Sequence, residues 1–146
     1  MKAPSEVNIV IGTIGQDAHV VGATILAHAL REAGFNVAHI GAVCSQEEFV
    51  NATKETAADS VWVSSLYGMG LLDCQGLRER LTEAGLGHIL LYVGGLLVAT
   101  ELPWDKTERR FKEMGFDRVY PPGTRPEVPI ADLKKDLGLE PASSVV

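Results

Sequence analysis

The sequence predicts a doubly wound α/β domain, and three observations carry that prediction. Short apolar runs of strand length alternate with amphipathic helical segments along most of the 146 residues. The first run, Val7–Thr13, is continuously apolar rather than alternating, as in a strand covered on both faces. Glycines punctuate the ends of the helical segments at Gly34, Gly85 and Gly138.

Taken in order, Val7–Thr13 reads as the first strand and Val20–Ala33 as the first helix. The helix is marked by apolar residues at Val21, Ile25, Leu26, Ala29 and Leu30. Asn36–Ile40 is the second strand. Ser45 then opens a helix to about Ala58, with Glu48 three positions on to complete a capping box. Ser60–Leu66 is the third strand, running into the loop Tyr67-Gly68-Met69-Gly70. Asp73–Ala84 reads as one helix, Ile89–Val93 as the fourth strand, and Trp104–Met114 as a helix. Arg118–Tyr120 is a short last strand, and Pro126–Leu137 closes the domain after Pro121-Pro122-Gly123.

Five strands interleaved with helices give a parallel sheet with right-handed crossovers. The flavodoxin/Rossmann-like order 2-1-3-4-5 follows, with a switch point between the first and third strands where ligands bind at the carboxyl ends. One domain is expected over 1–140, with 141–146 as a loose tail.

Bulk properties narrow the function. A net charge of −6 with scattered Lys and Arg disfavours nucleic acid. No apolar run approaches the roughly 20 residues that cross a bilayer, and the start, MKAPSEVNIVIG, leads into a strand rather than forming a signal peptide. Cys44 and Cys74 show neither CxxC spacing nor a disulfide framework, which fits a reducing cytoplasm. The run Gly12-Thr13-Ile14-Gly15 lacks the GxGxxG fingerprint, and no acidic residue closes the second strand, so NAD is disfavoured. A phospho-receiver would need an Asp at the end of the third strand, where serines stand.

Three strand ends carry unusual residues: Gly15-Gln16-Asp17-Ala18-His19-Val20-Val21-Gly22, then Ser64-Ser65-Leu66, then Gly94-Gly95. Asp17 and His19 suit a carboxylate that orients a metal-ligating imidazole. Taken alone the pair is weak evidence, since it also suits a helix cap beside an exposed histidine. Gly22 in a helix's first turn suggests a large group near the backbone. Gly94-Gly95 reads as a tight turn or as backbone lying flat against a ligand. Ser64 and Ser65 also suit simple loop capping.

Together these residues resemble a known signature. Asp17-x-His19-x-x-Gly22, Ser64-x-Leu66 and Gly94-Gly95 are separated by 41 and 27 residues, and the pattern is similar to that of cobalamin-binding domains. To about Glu140 the chain resembles the small subunits of glutamate mutases, through Val63–Gly68, Leu90–Gly95, Arg110–Tyr120 and Ala131–Leu137. Ala18 and Leu96 stand where a cysteine and a polar residue are common, outside the signature.

The resemblance implies adenosylcobalamin as cofactor, with His19 as lower axial ligand to cobalt and Asp17 on its far nitrogen. It implies a cofactor-binding set of Gln16, Asp17, Ala18, His19, Val20, Gly22, Ser64, Ser65, Leu66, Gly94 and Gly95. Leu96, Leu97, Val98, Ala99, Thr100 and Gly123 complete that set. The displaced nucleotide tail would lie against the third and fourth strands. Catalytic residues are expected on a separate, larger barrel subunit, in a heterotetramer of two small and two large chains, for which this chain is too short. The expected reaction interconverts glutamate and 3-methylaspartate. A related mutase for another small acid, a free-standing cobalamin carrier or sensor, and a flavodoxin-like module without cobalamin are the alternatives. His28, His39 and His88 are expected to be structural or surface groups.

Overall fold

A computed structural model describes residues 3–15, 20–65, 69–95 and 103–139. The strands are β1 (Asn8–Ile14), β2 (Asn36–Cys44), β3 (Ser60–Ser64), β4 (Leu90–Gly94) and β5 (Arg118–Tyr120). They form one parallel sheet in the order β2-β1-β3-β4-β5, as the sequence predicts. The helices are α1 (Val21–Glu32), α2 (Gln46–Thr56), α3 (Gly70–Cys74), α4 (Leu77–Glu83), α5 (Trp104–Glu113) and α6 (Glu127–Asp136).

Strand alternation divides the core into two layers. Val10, Val61, Val63, Leu91 and Val93 face Phe49 of α2, Leu77 and Leu81 of α4, and Phe111 of α5. The intervening residues Ile9, Ile11, Trp62 and Tyr92 face Ala23, Ala27 and Leu30 of α1 and Leu133 of α6. Both sheet faces are therefore covered, which is why the strands read as nearly continuous apolar runs.

The capping box at α2 is formed: Ser45 Oγ accepts from Glu48 N–H at 3.1 Å, and Ser45 N–H donates to Glu48 Oε1 at 3.2 Å. Two elements differ from the sequence expectation. The helix expected over Asp73–Ala84 is two helices, broken where Gln75 is extended and Gly76 takes φ +87°. The freed carbonyls of Asp73 and Gln75 both accept from Gln46 Nε2 at 2.8 Å. The second strand, expected to end at Ile40, continues to Cys44 through register shifts against β1 on either side of Gly12. There Gly41 takes φ +94° and Val43 φ +56°. A Cβ on Gly12 would stand 2.6 Å from Ile40 Cγ1 and 3.2 Å from Gly41 O, so only glycine lets the irregular strand come this close.

Candidate cofactor-binding site

Above the carboxyl ends of β3 and β4, between α1 and α6, lies a cavity of about 250 Å³. Its floor is aromatic. Trp62 stacks on Tyr92 with ring centroids 5.4 Å apart, and Tyr120 meets Tyr92 edge-on at 6.0 Å. These residues share a sheet face because Trp62 precedes Ser64, and Tyr92 precedes Gly94, by two positions.

Each polar atom of the floor has a partner. Trp62 Nε1 donates to Ser60 Oγ at 2.9 Å, and Ser60 Oγ donates to the Leu90 carbonyl at 3.0 Å. Tyr120 Oη donates to Asp132 Oδ2 at 2.6 Å, and Tyr92 Oη donates to Asp136 Oδ2. Arg118 grips Asp136 with two nitrogens, at 2.8 and 2.7 Å, so α6 is bolted to β4 and β5. Burial first, then the hydrogen bonds to these carboxylates, push both tyrosines well above the ordinary phenol range. The floor is therefore neutral at any physiological pH. The hydrogen bonds of Arg118, then that of Tyr92, hold Asp136 below the usual carboxylate value against the opposing effect of burial.

Of the residues expected to hold a cofactor, Gly22, Ser64, Gly94, Gly95 and Gly123 line this cavity. They come from α1, β3, β4 and the turn after β5, so the fold gathers groups far apart in the chain. Val20 stands half-buried at the start of α1. Ser65 does not line the cavity. It is fully buried; its N–H donates to Gly94 O at 3.1 Å, tying the ends of β3 and β4. Among the described residues its hydroxyl has no hydrogen-bond partner. Gln16, Asp17, Ala18, His19, Leu66, Leu96, Leu97, Val98, Ala99 and Thr100 lie outside the described residues. Among the described residues, no cluster of three or more His, Cys, Asp or Glu side chains could hold a metal ion.

Sequence reasoning missed the aromatic floor and the prolines Pro126 and Pro129 on the α6 side. The period of two was the available signal, since it places Trp62 and Tyr92 beneath the residues already singled out.

The cavity fits one part of a cobalamin. It lies just under the roughly 300–1,000 Å³ of sites for drug-sized ligands, room enough for a flat heterocycle but not for a macrocycle. Its walls are apolar and aromatic, with the Ser64 and Thr124 hydroxyls among the few polar groups. Gly94 keeps it open, because a Cβ there would already touch Tyr120 Cβ at 3.4 Å.

The B12 binding domain model matches residues 7–129. The glutamate mutase sigma subunit of Clostridium tetani is 58% identical over 132 residues, covering 90% of this chain and 96% of that one. Its counterpart in Carboxydothermus hydrogenoformans is 58% identical over 134 residues, covering 92% and 98%. Among solved structures, the monomethylamine corrinoid protein of Methanosarcina barkeri superposes with a TM-score of 0.65 at 20% identity, over 82% of this chain and 55% of that one. The receiver domain of NarL from Mycobacterium tuberculosis gives 0.62 at 16% identity, over 88% and 96%. At such identities the likeness is one of fold, which receivers and corrinoid proteins share. The family model and the relatives together establish that this chain belongs to the B12-binding domain family and, within it, to the glutamate mutase sigma subunits.

Proposed function

We propose that this chain is the cobalamin-holding subunit of an adenosylcobalamin-dependent glutamate mutase, acting in the cytoplasm on L-glutamate and L-threo-3-methylaspartate. The observation that carries the reading is the apolar slot opening at Ser64 and Gly94, the signature positions of the third and fourth strands.

Bound adenosylcobalamin supplies radical chemistry through its weak cobalt–carbon bond. The chain's own residues hold and orient it. The slot takes the nucleotide base onto the Trp62–Tyr92–Tyr120 floor and excludes water from it. His19 would hold the cobalt through an imidazole nitrogen, and Asp17 would fix the tautomer that leaves that nitrogen free to bind. The α6 carboxylates keep the tyrosines in place without bringing a free charge into the slot. No group of this chain is assigned to the amino-acid substrate. That role falls to a larger barrel subunit, in a complex of two small and two large chains, and turnover requires it.

The test is paramagnetic resonance of the complex reduced to Co(II) with the histidines labelled with ¹⁵N. Splitting of the cobalt signal by a histidine nitrogen, lost together with turnover in His19→Ala while the circular dichroism stays native, is the expected result. Coordination by the benzimidazole nitrogen in the unmutated protein would refute the reading.

A further inference from the structure

His39 lies outside the cobalamin signature, yet it has two specific hydrogen bonds. Its Nδ1 accepts from the Gly41 N–H at 2.9 Å, so that nitrogen carries no proton and the neutral ring must carry it on Nε2. Nε2 stands 3.2 Å from Thr24 Oγ1 and donates to it. Thr24 Oγ1 in turn donates to the Val20 carbonyl at 2.9 Å, in the first turn of α1. Gly41, His39, Thr24 and Val20 thus form one directed chain from the irregular part of β2 to the residue that follows His19.

The other end of the same segment is also tied to β2. Gly15 N–H donates to the Cys44 carbonyl at 2.8 Å. Residues 15 and 20 flank the segment that contains Asp17 and His19, and both are anchored on the stretch His39–Cys44. This stretch is costly to build. It contains Val43, a β-branched residue at φ +56°, and it needs Gly12 opposite to make room. A regular strand ending at Ile40 would satisfy the sheet and leave residue 15 without its anchor.

The geometry points to His39 as a positioning residue for cobalamin binding: through Thr24 it holds the start of α1, at the residue that follows His19 in the chain, against the β2 irregularity. His39 acts through Thr24 and Val20 and does not touch the cofactor. This role rests on the cobalamin-holding function proposed above.

The tests separate the two claims. In the unmutated subunit, long-range ¹H–¹⁵N correlation of His39 is expected to show Nδ1 unprotonated and Nε2 protonated; the opposite tautomer overturns the proposal. Hydrogen exchange, which needs no cofactor, is expected to quicken several-fold at the amides of residues 20–24 in His39→Ala and Thr24→Val, with the β3 and β4 amides unchanged. Unchanged exchange at 20–24 overturns the latch. Cobalamin titration, with the large subunit present, is expected to give several-fold weaker binding for His39→Ala and His39→Asn. His39→Gln, whose amide NH₂ reaches the Nε2 position, is expected to bind within about twofold of the unmutated protein. The double variant with Thr24→Val is expected to be no weaker than either single one, as for two links of one chain. Equal affinity in all variants refutes the positioning role. Failure of the unmutated complex to bind cobalamin refutes the functional reading instead, and leaves the exchange result to decide the latch.

Discussion

Gly94→Ala separates the needs of the fold from those of the slot. The added Cβ would meet Tyr120 Cβ at 3.4 Å and Tyr120 O at 3.6 Å, ordinary van der Waals distances, so the sheet accommodates it. Losing glycine's freedom in the unfolded chain stabilises by about 0.4–1 kcal/mol. Unfolding entropy of about 2.1 cal/mol/K per residue amounts to about 0.3 kcal/mol/K for 146 residues. The melting temperature should therefore rise by about 1–3 °C. Binding should move the other way. The methyl takes space from a cavity of only about 250 Å³, and overfilling a packed site costs about 1–3 kcal/mol. Cobalamin should then bind about 5- to 150-fold more weakly. Differential scanning calorimetry reads the first effect and spectrophotometric titration of the complex the second. Cobinamide, which lacks the nucleotide tail, should bind Gly94→Ala and the unmutated protein alike. A fall of several degrees in Tm, full affinity for cobalamin, or an equal loss for cobinamide would each refute the assignment of this cavity to the tail.

Asp136→Asn should lower Tm at neutral pH. Asp136 is held below its ordinary value, so its contribution is fully present above the unfolded carboxylate pKa of about 3.9 and is lost as pH falls through the lower folded value. The gap between variant and unmutated protein should accordingly close below about pH 4, and a gap independent of pH would contradict this. Val43→Gly should stabilise. A left-handed conformation costs an L-residue about 1–2 kcal/mol, more than the roughly 0.5–1 kcal/mol of added glycine entropy, and Val43 is 46% exposed with little packing to lose. A lower Tm would show that Val43 makes contacts worth more than the strain.

The order of the five strands was legible because both faces of the sheet are covered, so β1, β3 and β4 stand out as apolar runs between amphipathic segments. The break at Gly76 was not legible. Cys74, Leu77 and Leu81 are all buried and keep a helical spacing across it, and the partner that permits the break, Gln46, lies about thirty positions away. The continuation of β2 past Ile40 was hidden for a similar reason, since it depends on the missing Cβ of Gly12 in another strand. At the site, Gly22, Ser64, Gly94 and Gly95 stood out because strand ends and glycines announce themselves locally, whereas Gly123 entered only through the family resemblance. The Tyr92–Asp136–Arg118 cluster was not, because it joins three elements that share no sequence pattern.

The position of Trp62 gives the protein an optical probe of its own cofactor. The ring is 4% exposed in the floor of the slot, while the chain's other tryptophan, Trp104, packs against the opposite layer of the core. A corrin absorbs in the range where indole emits, so energy transfer would darken Trp62 as the slot fills. In a Trp104→Phe background that emission would follow loading directly, without activity or label.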